Sequence, residues 1–136
     1  MNTYFQKNRR NGTYTPAEKA LWDDILGVDE CILAGDFNAH STMWNRFCTA
    51  PRNARFLEDM IRAHELLVLN DDHETRPARP GGSLHSIIDL TLATQGAGPS
   101  ITDWRVVEEE DQASHSDHVI IEWKWTGLTM KVDPRW

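Results

Sequence analysis

The chain has 136 residues, of which 21 are acidic and 14 basic, and its net charge of −7 excludes a protein that holds nucleic acid by bulk positive charge. Hydrophobic residues make up 40% and charged residues 26%, which excludes collagen-like, coiled-coil and long disordered chains. No apolar run approaches the roughly 18 residues that a membrane span needs, and the N-terminus lacks the apolar segment of a secretory signal, so we expect no membrane partner.

The first predicted elements are a strand, a helix and a second strand. We predict a short strand over Asn2–Phe5 and a helix that starts at Thr15, because threonine is a good N-cap and proline and glutamate follow at the favoured positions. The helix ends at Gly27, and a buried strand follows over Glu30–Ala34. The apolar stripe of this helix is expected to consist of Leu21, Trp22, Ile25 and Leu26.

The rest of the chain predicts one more helix and several strands. Residues 35–52 form a long polar loop, and a helix follows over Asn53–Glu65 with an apolar stripe at Phe56, Leu57, Met60 and Ile61. The remaining predicted strands are Leu66–Leu69, Ile87–Ala93, Ile101–Val107 and Val119–Trp125. This order predicts an α/β fold, a layered α+β sandwich with a sheet-rich C-terminal part. We expect one domain over 1–126 and a tail over 127–136.

The segment that carries the most chemistry follows the second predicted strand. Asp36 and Asn38 are two residues apart, so in an extended chain both would point into one cleft while Phe37 turns back to the core. A carboxylate can orient water or bind a hard cation, and a carboxamide can donate to a phosphoryl oxygen. The alternative is a structural strand–turn, since these are also turn residues. His40, next along, is predicted either at the cleft rim or in a bond within the loop.

Two later segments carry further candidates. Asp117 and His118 lie just before an apolar strand and offer a metal ligand beside a titratable imidazole. The alternative is a polar surface turn, which would have the same residue types. Asp89 interrupts an otherwise apolar strand, where a carboxylate needs a partner such as an imidazole or the backbone. The six histidines and two cysteines form no standard zinc pattern, so oxygen-ligated metals are favoured over zinc.

Together these segments resemble one family. Gly-Asp-Phe-Asn at 35–38, Ser-x-x-Asp at 86–89 and Ser-Asp-His at 116–118 are similar to the endonuclease/exonuclease/phosphatase superfamily, which has the DNase I-like fold. Trp44, the segment 67–71, the pair 75–76 and the strand 86–93 narrow the resemblance to the endonuclease domain of non-LTR (LINE-like) retrotransposons. The resemblance covers the chain from Asn2 to about Trp125.

The resemblance implies a role for each matching residue. Asp36 would orient or deprotonate the attacking water, Asn38 would help to hold the phosphate, and Asp89 would pair with the catalytic His118. The other implied contacts are Tyr4 at the scissile phosphate, Asp117 at the metal, and Ser86, Trp44 and Arg76 at the substrate. The implied cofactor is Mg²⁺ or Mn²⁺, and the implied partners are DNA and a downstream reverse transcriptase domain, with nuclear residence.

One departure from the family concerns the start of the chain. The family fold is a two-sheet sandwich built from two similar halves, and its first half carries an early asparagine and a metal-binding glutamate that have no counterpart here. The acidic run Glu108–Asp111 is typical of a solvated loop and is no substitute. We therefore expect the second half of a DNase I-like sandwich, with the N-terminal half missing, one sheet uncovered, and self-association through it.

The implied function is metal-dependent phosphodiester hydrolysis of DNA by a truncated endonuclease domain that is weakly active or inactive. Two alternatives stay open. One is a phosphoesterase of the same superfamily that acts on small molecules, and the other is a non-catalytic retroelement remnant.

Overall fold

The computed structural model describes residues 15–76, 86–107 and 119–133. Within them lie two α-helices, six strands and one short 3₁₀ turn at Gly98–Ser100. The elements are α1 (Pro16–Leu26), β1 (Ile32–Asp36), α2 (Arg55–Ala63), β2 (Leu67–Val68), β3 (Asp89–Ala93), β4 (Ile101–Val107), β5 (Ile120–Trp125) and β6 (Leu128–Val132). The predicted strand Asn2–Phe5 falls outside the described residues.

Both helices form where their apolar stripes predict them. In α1 the Thr15 hydroxyl accepts the backbone N–H of Glu18 at 3.2 Å, which confirms the predicted N-cap. Trp22 and Leu26 are buried, but Leu21 is 57% exposed, so its predicted place in the stripe is wrong. It lies about 100° around the helix from Trp22, off the buried face. The predicted stripe of α2 is confirmed, since all four of its members are buried.

The first sheet places β3 between β1 and β2, and both pairings are antiparallel. The β1–β3 register runs from Ile32 opposite Ala93 to Asp36 opposite Asp89. β1 therefore ends two residues later than predicted. Gly35, within the strand, has a φ of 153°, a region that glycine adopts without the strain of a Cβ. This conformation lets the ladder continue to Asp36.

The two faces of this sheet bury different partners. Leu33, Leu90 and Leu92 face the helices and join one core with α1 and α2. Ile32, Ala34 and Ala93 face the second sheet and join another core. The alternation follows from the two-residue period of a strand, and it gives three layers: helices, first sheet and second sheet.

The second sheet is an antiparallel meander in the order β4-β5-β6. Ile121 and Trp123 pack on the first sheet, and the Trp104 indole donates to the Thr91 hydroxyl at 3.0 Å across the interface. The expectation of a sheet without a packing partner is therefore wrong for the described residues, because this one chain supplies strands to both sheets. The exposed large apolar side chains of the described part stand apart from one another in sequence, at positions 21, 28, 47 and 128.

The sequence prediction ends its last strand at Trp125 and therefore does not include β6. All five of its residues pair with β5, from Leu128 opposite Trp125 to Val132 opposite Ile121. Thr126 and Gly127 form the connection, and both have positive φ, 51° and 81°. Two such residues are typical of a tight hairpin turn. Across the described residues, none of the helices has the length and apolar character needed to cross a membrane.

Candidate active site

Two carboxylates face each other at one end of the first sheet. Asp36 is the last residue of β1, Asp89 is the first of β3, and the two are direct cross-strand partners. Their side chains share the face that the second sheet covers, and Asp89 is only 4% exposed. The register therefore places two carboxyl groups on the same face at one end of the sheet.

The chain turns sharply after Asp36. Asn38 has a φ of 47°, and its backbone N–H donates to the Asp36 carboxylate at 2.8 Å. Asparagine adopts this left-handed conformation more readily than most residues. The predicted extended geometry of the two residues is therefore wrong, but Phe37 is buried in the helix-side core as predicted. The turn brings Asn38 beside Asp36 through its backbone rather than through strand alternation.

Two polar side chains, Thr75 and Asn70, hold the start of β3 in place. The fully buried Thr75 hydroxyl accepts the backbone N–H groups of Ile88 at 2.9 Å and Asp89 at 3.0 Å. The Asn70 amide donates to the Asp89 carbonyl at 2.9 Å and accepts the Thr91 N–H at 2.8 Å. Sequence reasoning gave neither residue a role. For Asn70, the signal was a polar amide directly after an apolar strand.

β5 enters the fold at the same end. The Val119 N–H donates to the Thr75 carbonyl at 3.0 Å, so the first described residue of this segment lies beside the threonine that holds Asp89. Three predicted site residues, Tyr4, Asp117 and His118, fall outside the described residues.

The remaining predicted residues take different positions. Ser86 and Arg76 form an isolated antiparallel bridge three residues before Asp89. Trp44 is buried in the helix-side core and donates its indole N–H to the Ala39 carbonyl at 3.3 Å. It also lines a cleft of about 340 Å³ together with Asn70. Of the predicted residues, the structure thus brings Asp36, Asn38 and Asp89 together at the sheet end.

His40 is bonded within its loop. Its backbone exchanges two hydrogen bonds with Arg52, at 2.8 and 2.9 Å, and its Nε2 lies 3.2 Å from the Arg52 guanidinium. Burial lowers the pKa of the imidazole, and the positive charges of Arg52 and Arg76 lower it further. His40 is therefore a neutral side chain near neutral pH, and its Nε2 accepts from Arg52.

The described residues offer few metal ligands. No group of three or more His, Cys, Asp or Glu side chains within residues 15–76, 86–107 and 119–133 is arranged to hold an ion. Asp36 and Asp89 form a pair of oxygen donors on one sheet face. Mg²⁺ is commonly held by one or two carboxylates, with waters and substrate phosphates completing its octahedron. The pair fits such a partial site.

These features define a layered two-sheet α/β sandwich with a carboxylate pair at the end of adjoining strands. The family model described as "Endonuclease-reverse transcriptase" matches residues 1–122. The chain therefore belongs to this family, and the predicted superfamily and fold class are confirmed.

A solved structure is also similar to this chain. It is the endonuclease domain of TRAS1, a telomere-specific non-LTR retrotransposon, with 27% sequence identity and a TM-score of 0.65. The match covers 90% of this chain and 54% of that one, so the chain spans about half the length of the solved domain. No curated protein matches the chain.

Proposed function

We propose that this chain carries a metal-dependent DNA endonuclease site. The observation that supports it most is the pairing of Asp36 with Asp89 at the end of two adjoining strands, in a member of the endonuclease–reverse transcriptase family. The similar solved domain belongs to a retrotransposon described as telomere-specific, which supports DNA as the substrate class. A reverse transcriptase domain and residence in the nucleus belong to the same proposal.

Asp36 is proposed to orient the attacking water and accept its proton. It is half-buried at the mouth of the sandwich, and the Asn38 N–H fixes one of its oxygens at 2.8 Å. A fixed carboxylate loses little freedom when it takes up a catalytic geometry. The Asn38 amide is proposed to donate to a phosphoryl oxygen.

Asp89 is proposed to orient the imidazole of His118, which stabilises or protonates the phosphoryl group. A buried carboxylate fixes the tautomer of a partner imidazole and stabilises its charged form. Support comes from Val119, which directly follows His118 in the chain. Its N–H bonds to the Thr75 carbonyl, and the hydroxyl of the same threonine holds the Asp89 N–H.

The metal proposed for this site is Mg²⁺ or Mn²⁺. Asp117 is proposed as its ligand. When bound, the ion would polarise a phosphoryl oxygen and stabilise the leaving alkoxide.

Four further residues are proposed to contact the substrate. Arg76 and Ser86 form an isolated bridge, and Ser86 lies three residues before Asp89 in the chain. Trp44 borders the cleft that Asn70 lines. Tyr4 is proposed to reach the scissile phosphate.

Plasmid nicking tests the proposal. With Mg²⁺ the chain should convert supercoiled plasmid to open circles slowly, as expected of a weakly active truncated domain, and EDTA should stop the reaction. His118→Ala and Asp89→Ala should each lower the rate by about 10²–10⁴-fold, as expected for loss of an acid–base group. Circular dichroism of each variant checks that the fold persists.

Two outcomes would overturn the proposal. One is nicking that persists unchanged in both variants, since it would come from a contaminant. The other is the absence of nicking together with hydrolysis of sugar or lipid phosphates, which would assign the site to a small-molecule phosphoesterase.

A further inference from the structure

A second polar feature lies beside the carboxylate pair and has the opposite charge. His40 follows Asn38 by two residues, and Arg52 is its backbone partner across the loop that residues 41–51 form. Arg76 lies close enough to lower the pKa of His40 by its charge. The Arg52 guanidinium therefore lies against the imidazole, within reach of the charge of Arg76 and next to the turn that carries Asp36. We call these three residues the cationic cluster.

The bonding of Arg52 differs from that of most other described arginines. Arg46, Arg62 and Arg105 each form an ion pair with a carboxylate. Arg52 is exposed, and in the described part of the chain its side chain bonds to the imidazole of His40 rather than to an acid. A guanidinium has five N–H donors, and a neutral imidazole nitrogen accepts only one of them. Most of the N–H donors of Arg52 therefore point to groups other than His40.

The contact between His40 and Arg52 is more than the loop closure requires. The two backbone hydrogen bonds already join the loop ends, and a third contact, from the Asn53 amide to the Asn38 carbonyl at 3.5 Å, lies next to them. The side-chain bond therefore fixes the direction of the guanidinium rather than the path of the chain. An oriented guanidinium with free donors matches the geometry of a phosphate group.

We propose that Arg52, oriented by His40 and joined by Arg76, binds a backbone phosphate of DNA next to the scissile one. The proposal rests on the proposed function, because it assigns the same site its substrate-strand contact. The net charge of −7 repels DNA, so attraction must come from a local cluster. His40 is a positioning residue here, and Arg52 is the phosphate ligand.

Binding of a fluorescent duplex oligonucleotide by the full chain in EDTA tests the proposal, because no cleavage occurs. Arg52→Gln keeps a polar side chain beside His40 but removes the charge. It should weaken binding about tenfold at low salt, equivalent to about 1.4 kcal/mol, and reduce the slope of log K against log salt by about 0.9. Arg52→Lys should keep the slope and lose part of the affinity, because it keeps the charge without the fork.

Arg62→Ala is the matched control for charge. Arg62 lies in the last turn of α2, whereas Arg52 precedes the first turn, so its loss should leave the slope unchanged. His40→Ala should weaken binding, and His40→Gln should restore most of it, since glutamine places an acceptor near the position of Nε2. A purely structural His40 would give no such rescue at equal thermal stability.

The proposal is overturned if Arg52→Gln keeps the wild-type slope, if Arg62→Ala lowers the slope equally, or if the wild-type chain binds no duplex. Its failure is distinguishable from that of the proposed function. DNA binding that depends on Arg52, without nicking, would contradict the proposed nuclease function and support the phosphate contact. Nicking together with DNA binding that does not depend on Arg52 would support the nuclease function and contradict the phosphate contact.

Discussion

The two ends of the β1–β3 pair differ in the side chains that satisfy their backbone groups. We call the end where Thr94 follows β3 the threonine end, and the end with Asp36 and Asp89 the carboxylate end. At the threonine end, the Thr94 hydroxyl accepts the Cys31 N–H at 2.9 Å and donates to the Asp29 carbonyl at 2.8 Å. At the carboxylate end, the Thr75 hydroxyl instead accepts two backbone N–H groups, those of Ile88 and Asp89. Both ends therefore use a buried threonine to satisfy backbone groups that the strands leave over.

The two ends differ in the residues that surround each threonine. At the threonine end the backbone is packed on itself, since a Cβ at Gly96 would lie 2.1 Å from the Asp29 carbonyl oxygen. The carboxylate end instead holds Asp36 opposite Asp89, with the cationic cluster beside it. The two ends therefore differ in their acidic side chains, and the proposed site lies at the carboxylate end.

The largest expected difference between the ends is in catalysis. Asp36→Asn should lower plasmid nicking by about 10²–10⁴-fold, because it removes the proposed base while keeping the size of the side chain. Asp29→Asn makes the same change at the threonine end and should leave the rate within about twofold, since surface substitutions of this kind have small effects. Equal losses of nicking in the two variants, at equal folded fractions, would contradict the comparison.

A second test separates stability from activity. Thr75→Val should destabilise the fold by about 2–3 kcal/mol in urea unfolding, because two buried N–H groups lose their acceptor. Thr94→Val should cost about 1–2 kcal/mol by the same mechanism. Only the Thr75 variant should also lose nicking at temperatures where both remain folded, since only Thr75 holds Asp89. A Thr94 variant that loses nicking to the same extent would remove the distinction between the ends.

The smallest expected effect is a pH dependence at the cationic cluster. The pKa of His40 is lowered in the folded state from its ordinary 6.5, so the unfolded chain binds the proton more readily. The contribution of His40 to the free energy of unfolding is fully present above pH 6.5, and it decreases as the pH falls toward the lower pKa of the folded state. His40→Gln should flatten this part of the profile in urea unfolding at a series of pH values. A histidine profile with the opposite slope would exclude the neutral imidazole.

Sequence reasoning predicted the local elements best. Thr15 and the apolar stripe of α2 carry short-range signals of capping and periodicity, and both were confirmed. β6 lies in the predicted tail, although Thr126-Gly127 is a recognisable turn followed by alternating apolar residues. The bulge in β4 between Thr102 and Arg105 has no such local signal.

For the site, the sequence predicted residue types but not their arrangement. Asp36 and Asp89 were both candidates, yet their direct opposition depends on strand register, which long-range pairing sets. The left-handed turn at Asn38 replaced the predicted extended geometry. The pairing of His40 with Arg52 spans a loop whose closure no local pattern indicates.

The register of β3 has a consequence for how this domain tolerates mutation. Asp89, Thr91 and Ala93 alternate with Leu90 and Leu92, and Asn70 clamps the strand by bonding on either side of Leu90. Slippage by a single residue would place a carboxylate in the hydrophobic core under the helices and a leucine at the position of the carboxylate pair. Insertions or deletions in this short strand should therefore be more damaging than any single exchange, because one frame aligns both the core and the carboxylates.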